Sequence, residues 1–204
     1  IQFNKKKQLS RDEEITEIGN SAFAGANITT LTIKNINTVI GDFAFANCEN
    51  LTKVVLPNDN KNIIKARAFY NNKALEEVEN LQLVKAIGEY AFASSGIKSA
   101  TIGENVICDE GAFYLSSLET VTIGKNAIFG FASFGDCRSL KVVNMPDEGG
   151  VHIGEQCFMN CLQLKTIDLS KTDDTIEAYA FYNCIELLSA HLTNVKVIEE
   201  GAFV

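Results

Sequence analysis

Apolar residues recur along the chain in a fixed order, clearest over residues 40–57: Ile-Gly-Asp-Phe-Ala-Phe-Ala-Asn-Cys-Glu-Asn-Leu-Thr-Lys-Val-Val-Leu-Pro. The landmarks are Ile40, the pair Ala44 and Phe45, Cys48, and the triplet Leu51, Val54 and Leu56. The same order returns at Ile176, Ala180, Phe181, Cys184, Leu187, Ala190 and Leu192. Phased on the ring, the units centre on Phe23, Phe45, Phe69, Phe92, Phe113, Phe134, Phe158, Phe181 and Phe203, at steps of 21 to 24 residues. A small residue precedes each ring, among them Ala44, Ala112, Ser133 and Cys157. Each complete unit ends in an L-x-x-L-x-L triplet, from Ile28/Leu31/Ile33 through Leu75/Val78/Asn80 to Leu187/Ala190/Leu192.

A unit of this length cannot bury its own apolar side, so it stacks on its neighbours and builds a solenoid. The end of each triplet alternates apolar and polar, the period of a short strand. Stacked strands then form a parallel sheet along one face. The Ile-x-x-x-Ala-Phe half is expected to return on the opposite side as irregular or 3₁₀-like turns, with its ring in the core. Length varies mostly between a triplet and the next Ile: five residues after Ile102 and Ile123, eight after Leu56 and Met145. The longer gaps open with Pro57 and Pro146, which is turn chemistry. The units opening at Ile107 and Ile128 carry extra residues before Ala112 and Phe134, which predicts a bulged coil near the middle. Residues 1–17 precede the array, and residues 5–18 are expected to form a short helical cap. The solenoid is expected over residues 18–204, about eight complete units and a truncated ninth. With Ile1 in place of Met and Val204 in mid-unit, both ends look cut.

The motif Ile-Gly-x-x-Ala-Phe-x-x-Cys-x-x-Leu-x-x-Val-x-Leu-Pro, as it stands at residues 40–57, resembles the BspA-like, or treponemal-type, leucine-rich repeats. The resemblance covers about residues 18–204 and implies a leucine-rich-repeat right-handed superhelix, mostly short parallel strands with loops or 3₁₀ turns on the other side. It further implies surface proteins of mucosal or gut anaerobes, linked to adhesion and host-matrix binding. Cys48 precedes its triplet, a departure from the general leucine-rich pattern, where Asn or Cys follows it.

Composition narrows the function without naming it. The formal charge of −8 has no basic block beyond Lys5, Lys6 and Lys7, which argues against nucleic acid or an anionic membrane as partner. No apolar stretch approaches the roughly 18 residues of a membrane span, and no signal-peptide pattern opens the chain. Cys48, Cys137, Cys161 and Cys184 each lie three residues after a ring, and Cys157 takes the small-residue slot, so these read as reduced, buried thiols. That many unpaired cysteines suit an intracellular or anaerobic setting more than an oxidising one. His152, Cys157 and Cys161 are explained by the repeat better than by zinc, and no cofactor motif is present. With two histidines, neither beside a nucleophile in register, acid–base catalysis lacks its usual groups.

The remaining candidate is a surface. The outward strand positions are Thr30, Thr32, Lys53, Glu77, Glu79, Ser99, Thr101, Thr120, Thr122, Asn144, Thr166, Asp168 and His191, with Val55, Val142 and Ser189 completing the rows. Thr also suits any exposed strand, and the rows hold no aromatic residue. The expectation is a non-enzymatic interaction module at the cell surface or secreted, contacting a protein, such as a host-matrix protein, or a glycan through the strand face. The competing expectation is a structural spacer whose specificity lies elsewhere in a longer protein.

Overall fold

The structure, a computed structural model, describes residues 16–34 and 37–204. Each repeat unit is one coil carrying two strands. The triplets supply β2 (Thr30–Thr32), β4 (Lys53–Val55), β6 (Glu77–Glu79), β8 (Ser99–Ile102), β10 (Thr120–Ile123), β12 (Val142–Asn144), β14 (Thr166–Asp168) and β16 (Ser189–His191). The Ile half of each coil begins with a two-residue strand: β1 (Glu17–Ile18), β3 (Val39–Ile40), β5 (Ile63–Ile64), β7 (Ala86–Ile87), β9 (Ile107–Cys108), β11 (Ile128–Phe129), β13 (His152–Ile153), β15 (Thr175–Ile176) and β17 (Val197–Ile198). All ladders are parallel, each strand pairing with its counterpart one coil away. The triplet strands divide into three sheets, β2-β4-β6, β8-β10-β12 and β14-β16. The short strands run longer without a break, seven in one sheet from β1 to β13 and then β15-β17. The Ile half is therefore more regular than turns alone. The one 3₁₀ segment among the described residues, η1 (Leu81–Leu83), lies between β6 and β7, outside that half.

Two expectations need correction. No extra residue bulges the central coils. Cys108 and Phe129 pair in register with Ile87 and Ile153 and are fully buried, so they take the core slot. Ile107 and Ile128, one residue earlier, point outward and are each 43 % exposed. They extend an outer column of Val39, Ile63 and Ala86 that is itself apolar. The second correction is Asn80, which does not act as a third core residue. It turns left-handed at φ 64° and its Nδ2 donates to the Leu56 carbonyl at 2.8 Å. Leu81 and Val84 bury themselves in its place. The cap expected over residues 5–18 lies outside the described residues except at its end, where Glu17 and Ile18 form β1.

The core is a single column. The nine rings from Phe23 to Phe203 stack at centroid distances of 5.1 to 5.4 Å, within 9° of parallel. That spacing is close to the natural strand separation of about 4.8 Å, and it is why a small residue sits beside each ring: Ala44, Ala68, Ala91, Ala112, Ser133 and Cys157 are fully buried. The turn around each ring is hydrogen-bonded in alternation. Phe43, Phe45 and Asn47 donate to the next coil (Ala66, Ala68 and Tyr70), while Ala44 and Ala46 donate within their own coil to Gly41 and Phe43. Serving both directions places the residues two before and two after the ring in the left-handed region, as at Phe43 (φ 55°) and Asn47 (φ 58°).

Candidate binding surfaces

The register arranges the outward strand residues as two columns. The first runs Thr30, Lys53, Glu77, then Ser99, Thr120, Val142, then Thr166, Ser189; the second runs Thr32, Val55, Glu79, then Thr101, Thr122, Asn144, then Asp168, His191. Each break follows an irregularity, first Asn80 and η1, then the Pro146 insertion. Lys53, Val55 and Thr120 are half-buried and the rest are exposed. Some of the charge is already satisfied across the rungs. Lys53 Nζ bonds to Glu79 and, at 3.0 Å, to Glu77, and these carboxylates hold its ammonium above the ordinary range, Glu79 foremost. Asp168 accepts from the Ser170 N–H at 2.9 Å, and bonding to Ser170 holds its carboxyl below the usual value, His191 at 3.3 Å adding to the effect.

The middle of this face has relief. Beside Thr101 and Thr122 lies a groove of about 660 Å³, walled by Asn60, Gln82, Leu83 and Glu104. One side of it is formed by η1 and the residues just after it, Gln82 to Lys85. Gly103 lets that segment approach, since a Cβ there would collide with the Gln82 carbonyl oxygen.

A second surface was not foreseen in the sequence. All five tyrosines, Tyr70, Tyr90, Tyr114, Tyr179 and Tyr182, stand on the turn ridge, one or two residues from a core ring. Tyr90 lies over Gly111 of the next coil, where a Cβ would strike its ring, and Tyr179 covers Gly201 in the same way. Their hydroxyls donate to acids one coil on, Tyr90 to Glu110 Oε1 at 2.8 Å and Tyr179 to Glu200 Oε1 at 3.0 Å. Burial, with Glu110 adding, pushes the Tyr90 phenol up to about 12. The signal was present as tyrosines at two offsets from the ring, two before it at Tyr90 and Tyr179 and one after it at Tyr70, Tyr114 and Tyr182. What it lacked was the coil-to-coil adjacency that turns separate residues into a surface.

All six cysteines are free and buried. In the slot three after the ring, each sulfur donates back to the carbonyl of an earlier core Phe: Cys48 to Phe23 at 3.2 Å, Cys137 to Phe113 at 3.2 Å, Cys161 to Phe134 at 3.4 Å and Cys184 to Phe158 at 3.1 Å. Burial raises these thiols, Cys137 to about 12 and Cys184 to about 11. Iodoacetamide at pH 8 should therefore leave Cys108, Cys157 and Cys161 unlabelled in the folded protein and modify all six in urea, counted by mass spectrometry. An unfolded thiol ionises near 8.5, so above about pH 9 the unfolded chain releases protons that the fold retains. Stability is full below about pH 8 and declines as pH rises toward 11 to 12.

His152 does not join Cys157 and Cys161, which are fully buried. It sits half-exposed between Asp173 Oδ2 at 2.7 Å and Glu177 Oε1 at 3.4 Å. Among the described residues no group of three or more His, Cys, Asp or Glu side chains is arranged to hold a metal ion, and no helix is long and apolar enough to cross a membrane.

Parallel coils of 21 to 24 residues, each closing on a leucine-rich triplet, define a leucine-rich-repeat solenoid. The model of the BspA type leucine rich repeat region matches six copies over residues 16–130 and 107–204, and the chain belongs to that family. It is similar in fold to a leucine-rich repeat protein from Bacteroides ovatus, at 22% identity and TM-score 0.56, over 90% of this chain and 66% of that one. A leucine-rich repeat protein from Eubacterium ventriosum is similar at 18% identity and TM-score 0.59, over 86% of this chain and 51% of the other. The chain thus spans between about half and just under two thirds of those structures. No characterised protein matches it in sequence.

Proposed function

We propose that the chain is a non-enzymatic protein-binding module of a cell-surface or secreted protein, and that its contact is the strand face centred on Thr101 and Thr122. The observation that carries this reading is the groove of about 660 Å³ opening beside those two residues, midway along two columns of exposed side chains. Solenoids present such extended faces because stacking leaves every outward strand position in line. A flat strip offers little shape to a partner, whereas a strip with a recess accepts a protruding side chain or loop. Host-matrix proteins are the partner class that the family suggests.

The test is a surface-binding screen against extracellular-matrix proteins and mucins, with the double variant Thr101→Lys/Thr122→Lys beside wild type. Both sites are exposed, so circular dichroism and melting temperature should be unchanged. Binding by wild type that is about tenfold or more weaker in the variant, roughly 1.4 kcal/mol, supports the strand face. Equal binding by both proteins refutes that face, and no binding by either favours the spacer.

A further inference from the structure

Three large apolar side chains stand on the turn ridge where the backbone disfavours them. Phe43, Tyr90 and Leu115 have φ of 55°, 52° and 56°, the left-handed region in which a Cβ is crowded and Gly or Asn is better accommodated. The slot of Leu115 is Asn in four other coils, Asn47, Asn71, Asn160 and Asn183, whereas the slot of Phe43 and Tyr90 is Gly only at Gly111 and Gly201 and holds Ser21, Arg67, Ala132, Gln156 and Tyr179 elsewhere, all at positive φ. Burial does not compensate, because Phe43 remains 39 % and Leu115 46 % exposed. All three nevertheless line one shallow cavity of about 370 Å³, together with Arg67, Tyr70 and Tyr114. The left-handed turn belongs to every coil; what is particular to this stretch is that large side chains occupy it in adjacent coils and line one cavity.

We propose that this cavity docks a proline-rich peptide segment in the polyproline II conformation that carries a basic residue. Tyr70 and Tyr114 each follow a core phenylalanine, two coils apart, and Ala93 and Ser94 line the cavity from the coil between. Successive coils are separated here by 5.2 and 5.4 Å at the rings of Phe69, Phe92 and Phe113. The two tyrosines therefore repeat at roughly 10–11 Å, a little more than one turn of a polyproline II helix at roughly 9 Å, so that successive ligand turns each meet an aromatic wall.

The walls are set before any ligand arrives. Tyr90 and Tyr114 donate to Glu110 at 2.8 Å and Asp136 at 3.1 Å. The Arg67 guanidinium lies over the rings of Phe43 and Tyr90 at 5.7 and 5.1 Å while pairing with Glu89 at 2.9 Å. A stiff site and a stiff ligand lose little entropy on meeting. With the hydroxyls of Tyr90 and Tyr114 engaged, the rings offer apolar surface, which suits pyrrolidine rings better than a hydroxyl-rich glycan. Charge supplies the basic residue: Glu89 neutralises Arg67 and Asp136 neutralises Arg138, while Glu110, outside the lining but bonded to the Tyr90 hydroxyl of its wall, has no cationic partner among the described residues. This site shares no lining residue with the strand-face groove and does not depend on it.

The experiment is a fluorescence-anisotropy titration with a labelled peptide of three Arg-Pro-Pro repeats. It runs beside one peptide with alanine for proline, one with glutamine for arginine, and an unlabelled xylan-derived oligosaccharide as competitor. Wild type should bind the first peptide, with each substituted peptide weaker by about tenfold or more. Tyr70→Ala and Leu115→Asn should each weaken binding by about as much, Leu115→Asn with a melting temperature at or above wild type, because Asn is at home in that conformation. Thr101→Lys/Thr122→Lys should bind like wild type. Failure to saturate at millimolar peptide, equal binding of the alanine peptide, or indifference to both ridge variants would overturn the proposal. Displacement by the oligosaccharide at lower concentration than by unlabelled peptide would reassign the cavity to a glycan.

Discussion

Phe113→Ala is expected to lower the unfolding free energy by about 3–5 kcal/mol in urea denaturation. Phe113 is fully buried and stacked on both sides, 5.4 Å from Phe92 and 5.3 Å from Phe134. Truncation removes its transfer energy, leaves a void in a column that cannot collapse without shifting whole coils, and ends two ring contacts. The same substitution at Phe203, which is 37 % exposed and stacks on Phe181 alone, should cost less, about 1–2 kcal/mol. The contrast tests the architecture as well as the residue. In a quasi-one-dimensional array each coil is stabilised by its neighbours, so a central defect also separates the two flanking blocks, and the transition should broaden. Equal losses at Phe113 and Phe203 would contradict a stack coupled along its length.

The repeat was legible because its two signals act locally. Ring spacing and the alternation inside each triplet lie within one coil, and both survive in the structure as the phenylalanine column and the two outward columns of the strand face. What escaped was anything set by register between coils. Ile107 next to Cys108, and Ile128 next to Phe129, each offer two apolar candidates for one core slot, since the outer column there is apolar too. Hydrophobicity cannot choose between them, whereas the parallel ladder with Ile87 and Ile153 does. Asn80 is a similar case: a left-handed turn and a hydrogen bond to Leu56 pass its core role to Leu81. The turn ridge was hidden for the same reason. Tyr70, Tyr90 and Tyr114 are 20 and 24 residues apart in the chain and become one surface only once coils are stacked.

The slot three residues after each ring separates packing from hydrogen bonding, and Asn72 shows how. It is fully buried, its Oδ1 accepts the Cys48 N–H at 2.7 Å, and its Nδ2 donates to the Phe45 carbonyl at 2.9 Å. The cysteines in this slot donate to the equivalent carbonyl, so Asn and Cys here combine packing with a hydrogen bond, whereas Ala26 fills the slot without one and the buried Ser95 hydroxyl finds no partner. Asn72→Leu keeps the volume but removes both side-chain bonds and leaves the Cys48 N–H and the Phe45 C=O only each other as partners, so unfolding should ease by about 1–3 kcal/mol. Asn72→Cys should recover most of that. Its sulfur can reach the Phe45 carbonyl, and the Cys48 N–H can turn to the same oxygen, as the Cys137 N–H does to Phe134 at 3.3 Å. The order in urea is then wild type and Asn72→Cys close together, with Asn72→Leu well below. A leucine variant as stable as wild type would mean that the slot is filled for its apolar volume alone, and that the recurrence of cysteine there has nothing to do with the carbonyls it faces.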